Sequence, residues 1–238
     1  MTKLTTIGLD ADDTLWHNEK HFHFTQNMFA DLLKDHAPPE QIASRLLQAE
    51  KKNLAFYGFG IKGFTLSMIE TAIEVTDGKV SSSTLKTILD AGRDMLHHPV
   101  ELLPHVGETL EALAVQYKLV LITKGDLFDQ ERKVAASGLG DFFTAIEIVS
   151  DKQPQTYERI FRQQGSGPEA AMMVGNSLKS DVIPAINAGA FGVHVPHEYA
   201  WAHEHADAPD HPRFKTIEHL GLLPELVNSL ASTDHSPR

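Results

Sequence analysis

TTIGLDADDT, the stretch from Thr5 to Thr14, decides the fold of this chain. A short β-prone run ends in three carboxylates within four residues, Asp10, Asp12 and Asp13. In open α/β sheets, ligand-binding and catalytic groups gather at the carboxyl ends of the strands. Like charges this close repel strongly in a partly buried site, and a bound divalent cation is the simplest way for them to coexist. We therefore expect the fold to be built around these acids.

The composition limits the class of protein. The chain has 238 residues, 42% of them hydrophobic, enough for one large core or for a core domain with a smaller inserted one. Cysteine is absent, which excludes disulfides and thiolate-bound metals. A net charge of −11 disfavours nucleic acid and anionic membranes as partners. No apolar run approaches the roughly 20 residues that span a bilayer, and no secretory signal is present, so we expect a cytoplasmic protein.

Strand and helix patterns alternate in the second half of the chain. After a first strand at 3–10, we predict further strands at 118–123, 145–149, 171–176 and 191–195, each separated from the next by a helical segment. Such alternation is typical of a mainly parallel sheet with helices on both faces. The predicted fold class is therefore α/β, with a three-layer α/β/α Rossmann-like core.

A long helical segment interrupts this pattern after the first strand. Residues 17–99 carry apolar side chains at helical spacing and almost no strand signals. We predict an α/β core domain over 1–16 and 100–238, and an inserted helical cap domain over 17–99. Residues 56–64, rich in glycine and aromatic residues, are predicted to form a loop carrying Lys62. We expect this loop to contact the substrate's leaving group, the alternative being a plain connecting turn.

Chemically suitable side chains follow four of the predicted strands. They are Asp10 and Asp12, Thr123, Lys152, and Asn176 with Asp181. One edge of a parallel sheet would then hold a nucleophile, an acid, a hydroxyl, an ammonium and a second carboxylate for a metal. This inventory matches the needs of phosphoryl transfer, where a cation and fixed donors neutralise the transferred oxygens.

Four motifs in this order resemble the haloacid dehalogenase superfamily of hydrolases. The first is Asp10-Ala11-Asp12-Asp13-Thr14, and the second is the apolar strand ending Leu121-Ile122-Thr123. The third is Lys152, and the fourth is the segment from Gly175 to Asp181, which reads GNSLKSD. The resemblance covers about residues 4–195, and the insertion is similar to the family's helical cap subclass.

The resemblance implies a role for each matching residue. Asp10 attacks phosphorus and becomes an aspartyl phosphate, while Asp12 protonates the leaving oxygen and then activates water. Thr123 and Lys152 bind the phosphoryl group, together with backbone N–H groups near Lys124.

The resemblance also implies a Mg²⁺ ion. The Asp10 carboxylate, the Asp12 main-chain carbonyl and Asp181 would hold it. Asn176 stands where this family usually has Asp. Its amide oxygen can still face the metal or a metal-bound water, but it brings no charge.

We therefore predict a Mg²⁺-dependent phosphatase of a small phosphorylated metabolite, acting as a monomer or homodimer. Two alternatives stay open: a phosphomutase on the same scaffold, and a non-catalytic phosphate-binding regulatory module, which Asn176 favours. A dehalogenase is disfavoured because that branch does not retain the second acid, present here as Asp12. His17 and His197 either line the cleft or are simply packed or exposed. We interpret residues 203–205 as a solvated polar stretch, the alternative being a metal site.

Overall fold

The structure, a computed structural model, describes residues 3–199, 201 and 204–233. The chain divides into two units, one of Met1–His17, Val100–Lys124 and Arg132–Arg238, the other of Asn18–Pro99 and Gly125–Glu131. We call them the sheet unit and the helical unit. We had placed residues 125–131 in the core domain, but they pack in the helical unit. There, the side chain of Asp126 accepts hydrogen bonds from Lys62.

Four helices make up most of the helical unit: α1 (Glu19–Leu32), α2 (Pro39–Tyr57), α3 (Ile61–Val75) and α4 (Ser82–His97). Pro39 starts α2 at the position where a missing N–H costs nothing. Ser81 caps α4, since its hydroxyl accepts a hydrogen bond from the Thr84 backbone N–H at 3.0 Å. Phe29, Met68 and Ile88 lie in their shared apolar core.

The prediction of a loop over residues 56–64 is mostly wrong. Tyr57 ends α2 and Ile61 begins α3, so only Gly58, Phe59 and Gly60 connect the two helices. Gly58 and Gly60 have φ angles of 68° and 117°, which glycine adopts without the steric cost that a Cβ brings. Of the aromatic residues that suggested an extended loop, Phe56, Tyr57 and Phe64 belong to the two helices, and Phe59 lies in the connection.

The sheet unit contains a parallel six-stranded sheet. Its strands are β1 (Thr6–Leu9), β2 (Lys118–Lys124), β3 (Ala145–Val149), β4 (Ala171–Gly175), β5 (Phe191–His194) and β6 (Phe214–Thr216). The order is β3-β2-β1-β4-β5-β6. β1 pairs with β2 on one side and β4 on the other, so the strand order reverses at β1. This topology confirms the predicted α/β class and puts the switch point, where such sheets bind ligands, at the end of β1.

Five further helices follow: α5 (Val106–Ala114), α6 (Leu127–Ser137), α7 (Pro154–Gln164), α8 (Ile183–Asn187) and α9 (Leu223–Thr233). Residues of the central strands alternate between two apolar cores. Leu121 packs in the core that includes residues of α5 and α9, while Ile122 packs in the core that includes residues of α7 and α8. This alternation buries both faces of the sheet and leaves the strand ends to carry polar groups. None of the described helices has the length and apolar character needed to cross a membrane.

Candidate active site

Asp10 lies immediately after β1, at the switch point of the sheet. Its backbone N–H donates to the carbonyl oxygen of Val174 at 2.9 Å, which fixes the chain beside the end of β4. Only 6% of the residue is exposed. Burial, followed by repulsion from Asp181, raises the pKa of Asp10 to about 7. A carboxylate in this position needs positive charge nearby to stay ionised.

Lys152 supplies part of that charge. Its ammonium group donates to Asp10 Oδ1, and also to Asp181 Oδ1 at 2.7 Å. Burial by itself would lower the pKa of Lys152, but the two carboxylates outweigh burial and raise it. The three side chains form a buried carboxylate–ammonium–carboxylate chain, which carries one net negative charge when both carboxyl groups are ionised.

Asp181 reaches this chain from a π-helical turn, Leu178–Val182, that follows β4. Its second oxygen, Oδ2, accepts a hydrogen bond from the Ser177 backbone N–H at 3.0 Å. A Cβ on Gly175 would lie 2.2 Å from the same oxygen, so glycine is required for the carboxylate to lie against the end of the strand. Both oxygens of Asp181 therefore have protein donors.

Asn176 faces the opposite side of Asp10. Its side-chain oxygen lies 3.2 Å from both Asp10 Oδ2 and the Asp12 carbonyl oxygen. The Thr14 hydroxyl is 3.3 Å from Asp10 Oδ2 and 3.4 Å from Asn176 Oδ1, and it has one proton to donate. Three oxygens this close need a cation between them, or a rotated amide whose NH₂ group donates to the other two. Cis oxygen ligands of a Mg²⁺ ion are about 3 Å apart, so the two 3.2 Å separations fit that cation. We call Asp10 Oδ2, the Asp12 carbonyl oxygen and Asn176 Oδ1 the oxygen triad.

Asp12 has partners of its own. Its carboxylate accepts hydrogen bonds from Lys133 Nζ at 2.7 and 2.9 Å, and from the Trp16 indole N–H at 2.8 Å. The Asp12 side chain is 24% exposed and the Lys133 side chain 10%. Asp12 is therefore held in one direction and stays within reach of water.

Thr123 lies near the end of β2, beside β1, and is 1% exposed. Lys124 follows it, but the side chain of Lys124 turns to Ser180 Oγ, 2.7 Å away, and to Glu204. Glu204 also accepts a hydrogen bond from Ser177 Oγ. The Lys124 ammonium is thus committed to an internal ion pair.

The predicted site residues therefore fall into two sets. The structure brings together Asp10, Asp12, Lys152, Asn176 and Asp181, with Thr123 on the neighbouring strand. Lys62 belongs to the helical unit, where it pairs with Asp126 at 2.9 Å and lies over the ring of Phe128. Its expected contact with the leaving group stays a prediction.

Two residues of the site were missed at the sequence level. Lys133 lies on the buried face of α6 with Gln130 and Val134, and a lysine at a buried helical position was an available signal. Glu204 has no such local pattern. Our interpretation of residues 203–205 as solvated is wrong for Glu204, whose side chain is 16% exposed; His203 lies outside the described residues.

The sheet topology and the buried carboxylate–lysine centre define the class of this protein: a Rossmann-like α/β protein with its polar centre at the carboxyl ends of the strands. A family model described as haloacid dehalogenase-like hydrolase matches residues 4–189, and the chain belongs to that family.

Three relatives illustrate its neighbourhood. A haloacid dehalogenase-like family hydrolase from Xanthomonas campestris has a crystal structure with a TM-score of 0.86 and 39% identity, covering 97% of this chain and 93% of that one. Glyceraldehyde 3-phosphate phosphatase from Methanothermobacter thermautotrophicus is 25% identical, over 82% of this chain and 87% of the relative. Pyrimidine 5'-nucleotidase YjjG from Escherichia coli is 23% identical, over 77% and 82%. One of these relatives is named as a phosphatase and another as a nucleotidase.

Proposed function

We propose that this hydrolase is a Mg²⁺-dependent phosphatase of a small phosphorylated metabolite, working in the cytoplasm as a monomer or homodimer. The observation that carries the proposal is the environment of Asp10. One of its oxygens accepts a hydrogen bond from the Lys152 ammonium, and the other, Oδ2, is part of the oxygen triad suited to a divalent cation. Positive charge on both sides of a buried carboxylate is what a phosphate dianion needs in order to approach it.

We assign the metal ligands to Asp10 Oδ2, the Asp12 carbonyl oxygen and Asn176 Oδ1. When bound, the ion neutralises charge on the carboxylate and on the transferred phosphoryl group. Asp181, whose oxygens accept hydrogen bonds from Lys152 and Ser177, then positions Lys152 instead of binding the ion. This differs from the ligand set that the family resemblance implied.

In the first step, a carboxylate oxygen of Asp10 attacks phosphorus, and the bond from phosphorus to the leaving oxygen breaks. Asp12 gives its proton to that oxygen. In the second step, Asp12 takes a proton from a water molecule, whose oxygen attacks phosphorus and releases Asp10 and inorganic phosphate. Thr123, Lys152 and the Lys124 backbone N–H bind phosphoryl oxygens in both steps.

Lys133 and Trp16 act through Asp12. Their hydrogen bonds direct the carboxylate, and they limit the rotamers it can adopt before each proton transfer. We assign both as positioning residues.

A phosphate-release screen tests the proposal. Phosphorylated metabolites, beginning with glyceraldehyde 3-phosphate and pyrimidine 5'-nucleotides, are incubated with the wild type and with Asp10→Asn, with Mg²⁺ or after chelation. We expect release only by the wild type with Mg²⁺, and similar thermal stability for both proteins in Mg²⁺. Near-normal release by Asp10→Asn, or after exhaustive chelation, would refute the mechanism. A product that keeps its phosphate in a new position would indicate a phosphomutase.

A further inference from the structure

The sheet unit holds a second cluster of metal-binding side chains that the proposed phosphatase mechanism does not use. It consists of Asp13, His17 and His197. One carboxylate oxygen and one ring nitrogen from each imidazole all lie within 4.8 Å of one another. Asp13 is 5% exposed and the His197 side chain 10%. The cluster is therefore largely removed from water, where an unbalanced charge is costly.

The contact between Asp13 and His197 needs either a metal ion or a proton on the imidazole. Asp13 Oδ1 lies 3.6 Å from His197 Nδ1, and the Tyr199 backbone N–H points at the same nitrogen from 3.3 Å. An imidazole nitrogen has a single lone pair, so Nδ1 either accepts this bond and has no proton for the carboxylate, or uses the lone pair for a metal ion or a proton. Either a metal ion lies between them, or Nδ1 carries a proton and donates to Asp13 or to the Tyr199 carbonyl oxygen, 3.1 Å away.

His17 favours the metal. A shared proton needs only two groups, whereas the second imidazole completes a set of two histidines and one carboxylate. This set is a common ligand set for Zn²⁺, with a fourth position left for water. Tetrahedral ligands at about 2.0–2.1 Å from zinc are about 3.3 Å apart, so the Asp13–His197 separation is already close to the required value.

The backbone around Asp13 prepares this arrangement. Asp13 has a φ angle of 60°, in the left-handed region that few residues other than glycine adopt. Its N–H donates to the Trp16 carbonyl oxygen at 2.7 Å, closing a tight turn. The turn brings the side chains of residues 13 and 17 together, while His197 arrives from the segment after β5.

We propose that Asp13, His17 and His197 form a binding site for a transition-metal ion of the Zn²⁺ type. Its nitrogen-containing ligand set distinguishes it from the all-oxygen set at Asp10, which suits Mg²⁺. The ion would join the turn after β1 to the segment after β5. Binding should therefore raise the thermal stability of the sheet unit as well as producing a spectroscopic signal.

Cobalt binding tests this site. The full chain is stripped with chelator, saturated with Mg²⁺ to occupy oxygen ligands, and titrated with Co²⁺ and then with Zn²⁺. We expect one equivalent of Co²⁺ with the visible absorption of a four- or five-coordinate site, displaced by one equivalent of Zn²⁺. His17→Gln and His197→Gln should each lose the band and weaken Zn²⁺ binding at least tenfold. His36→Gln, at an exposed position, is the matched control.

The Asp10→Asn variant separates this inference from the proposed function. It should keep the Co²⁺ band, because its histidines are intact. The proposal is overturned if the wild type binds no Co²⁺ in the presence of Mg²⁺, which would leave hydrogen bonding alone to explain the contact between His197 and Asp13. It is also overturned if the band survives in both histidine variants, or disappears only in Asp10→Asn.

Discussion

Replacing Asn176 by aspartate tests the oxygen triad most directly. The substitution keeps the shape of the side chain and adds one negative charge 3.2 Å from Asp10 Oδ2. At an effective dielectric constant of about 20, two unit charges at that distance repel by about 5 kcal/mol. Because Asn176 is only half-buried, water and proton uptake relieve part of this repulsion. We expect the Mg²⁺-free variant to lose about 1–3 kcal/mol of unfolding free energy.

With Mg²⁺ bound, the added charge should stabilise the site instead of destabilising it. An extra anionic oxygen beside the cation strengthens binding, so the Mg²⁺ dissociation constant should fall about tenfold or more, equivalent to at least about 1.4 kcal/mol. Turnover need not increase, because the same charge opposes entry of the phosphate dianion. The measurements are Mg²⁺ titration calorimetry and thermal unfolding with and without Mg²⁺.

Asn228→Asp supplies the matched control, since it adds the same charge at an exposed position in α9. Its Mg²⁺ affinity should equal that of the wild type. If Asn176→Asp also leaves the Mg²⁺ affinity unchanged, the amide lies outside the metal's reach and our ligand assignment is wrong.

Three further changes probe the positioning groups and the helical unit. Lys133→Met should lower kcat about tenfold or more, because Asp12 would lose its orientation. The loss in steady-state kinetics should be larger for alkyl phosphates than for an activated aryl phosphate, and equal losses would contradict this role. Burial would raise the pKa of Glu204, but attraction to Lys124 and the Ser177 hydrogen bond outweigh it and hold that pKa below 4.5. The ionised Glu204 therefore stabilises the folded protein above pH 4.5, and this stabilisation is lost as pH falls through the lower folded-state pKa. Glu204→Gln should lower the melting temperature at pH 7, and the melting temperatures of the variant and the wild type should converge in acid. Lys62→Ala should change KM unequally among substrates with different leaving groups; a uniform fall in activity would move Lys62 to the phosphate.

Much of the fold was predictable because burial leaves a simple trace in the sequence. β2 and β4 are continuous apolar runs, and their predicted bounds differ from the structure by a single residue. β6 was missed because its three residues, Phe214–Thr216, are too few to form a periodic pattern at the edge of a sheet. The sequence also did not show that residues 125–131 pack in the helical unit, since this depends on packing between segments distant in sequence.

The centre of the site was predictable for a different reason. Parallel strands align their carboxyl ends, so Asp10, Lys152 and Asn176 had to meet once the strands were assigned. Which of the two side chains approaches Asp10 Oδ2 and which pairs with Lys152 was not predictable, because Asn176 and Asp181 belong to the same loop. The buried helical position of Lys133 could be read from the sequence, but its pairing with Asp12 could not, since that depends on how far a flexible side chain reaches from α6.

The π-helical turn at Leu178–Val182 makes loop length part of the active-site design. Within it, the Val182 N–H bonds to the Ser177 carbonyl oxygen, five residues back, at 3.2 Å. Each helical residue turns the chain by about 100° around the helix axis. Deleting one residue here would therefore rotate the Asp181 side chain away from both Lys152 and Gly175. An insertion would do the same in the other direction. Anyone grafting this loop into a relative must therefore preserve the number of residues between Asn176 and Asp181 as strictly as the side chains themselves.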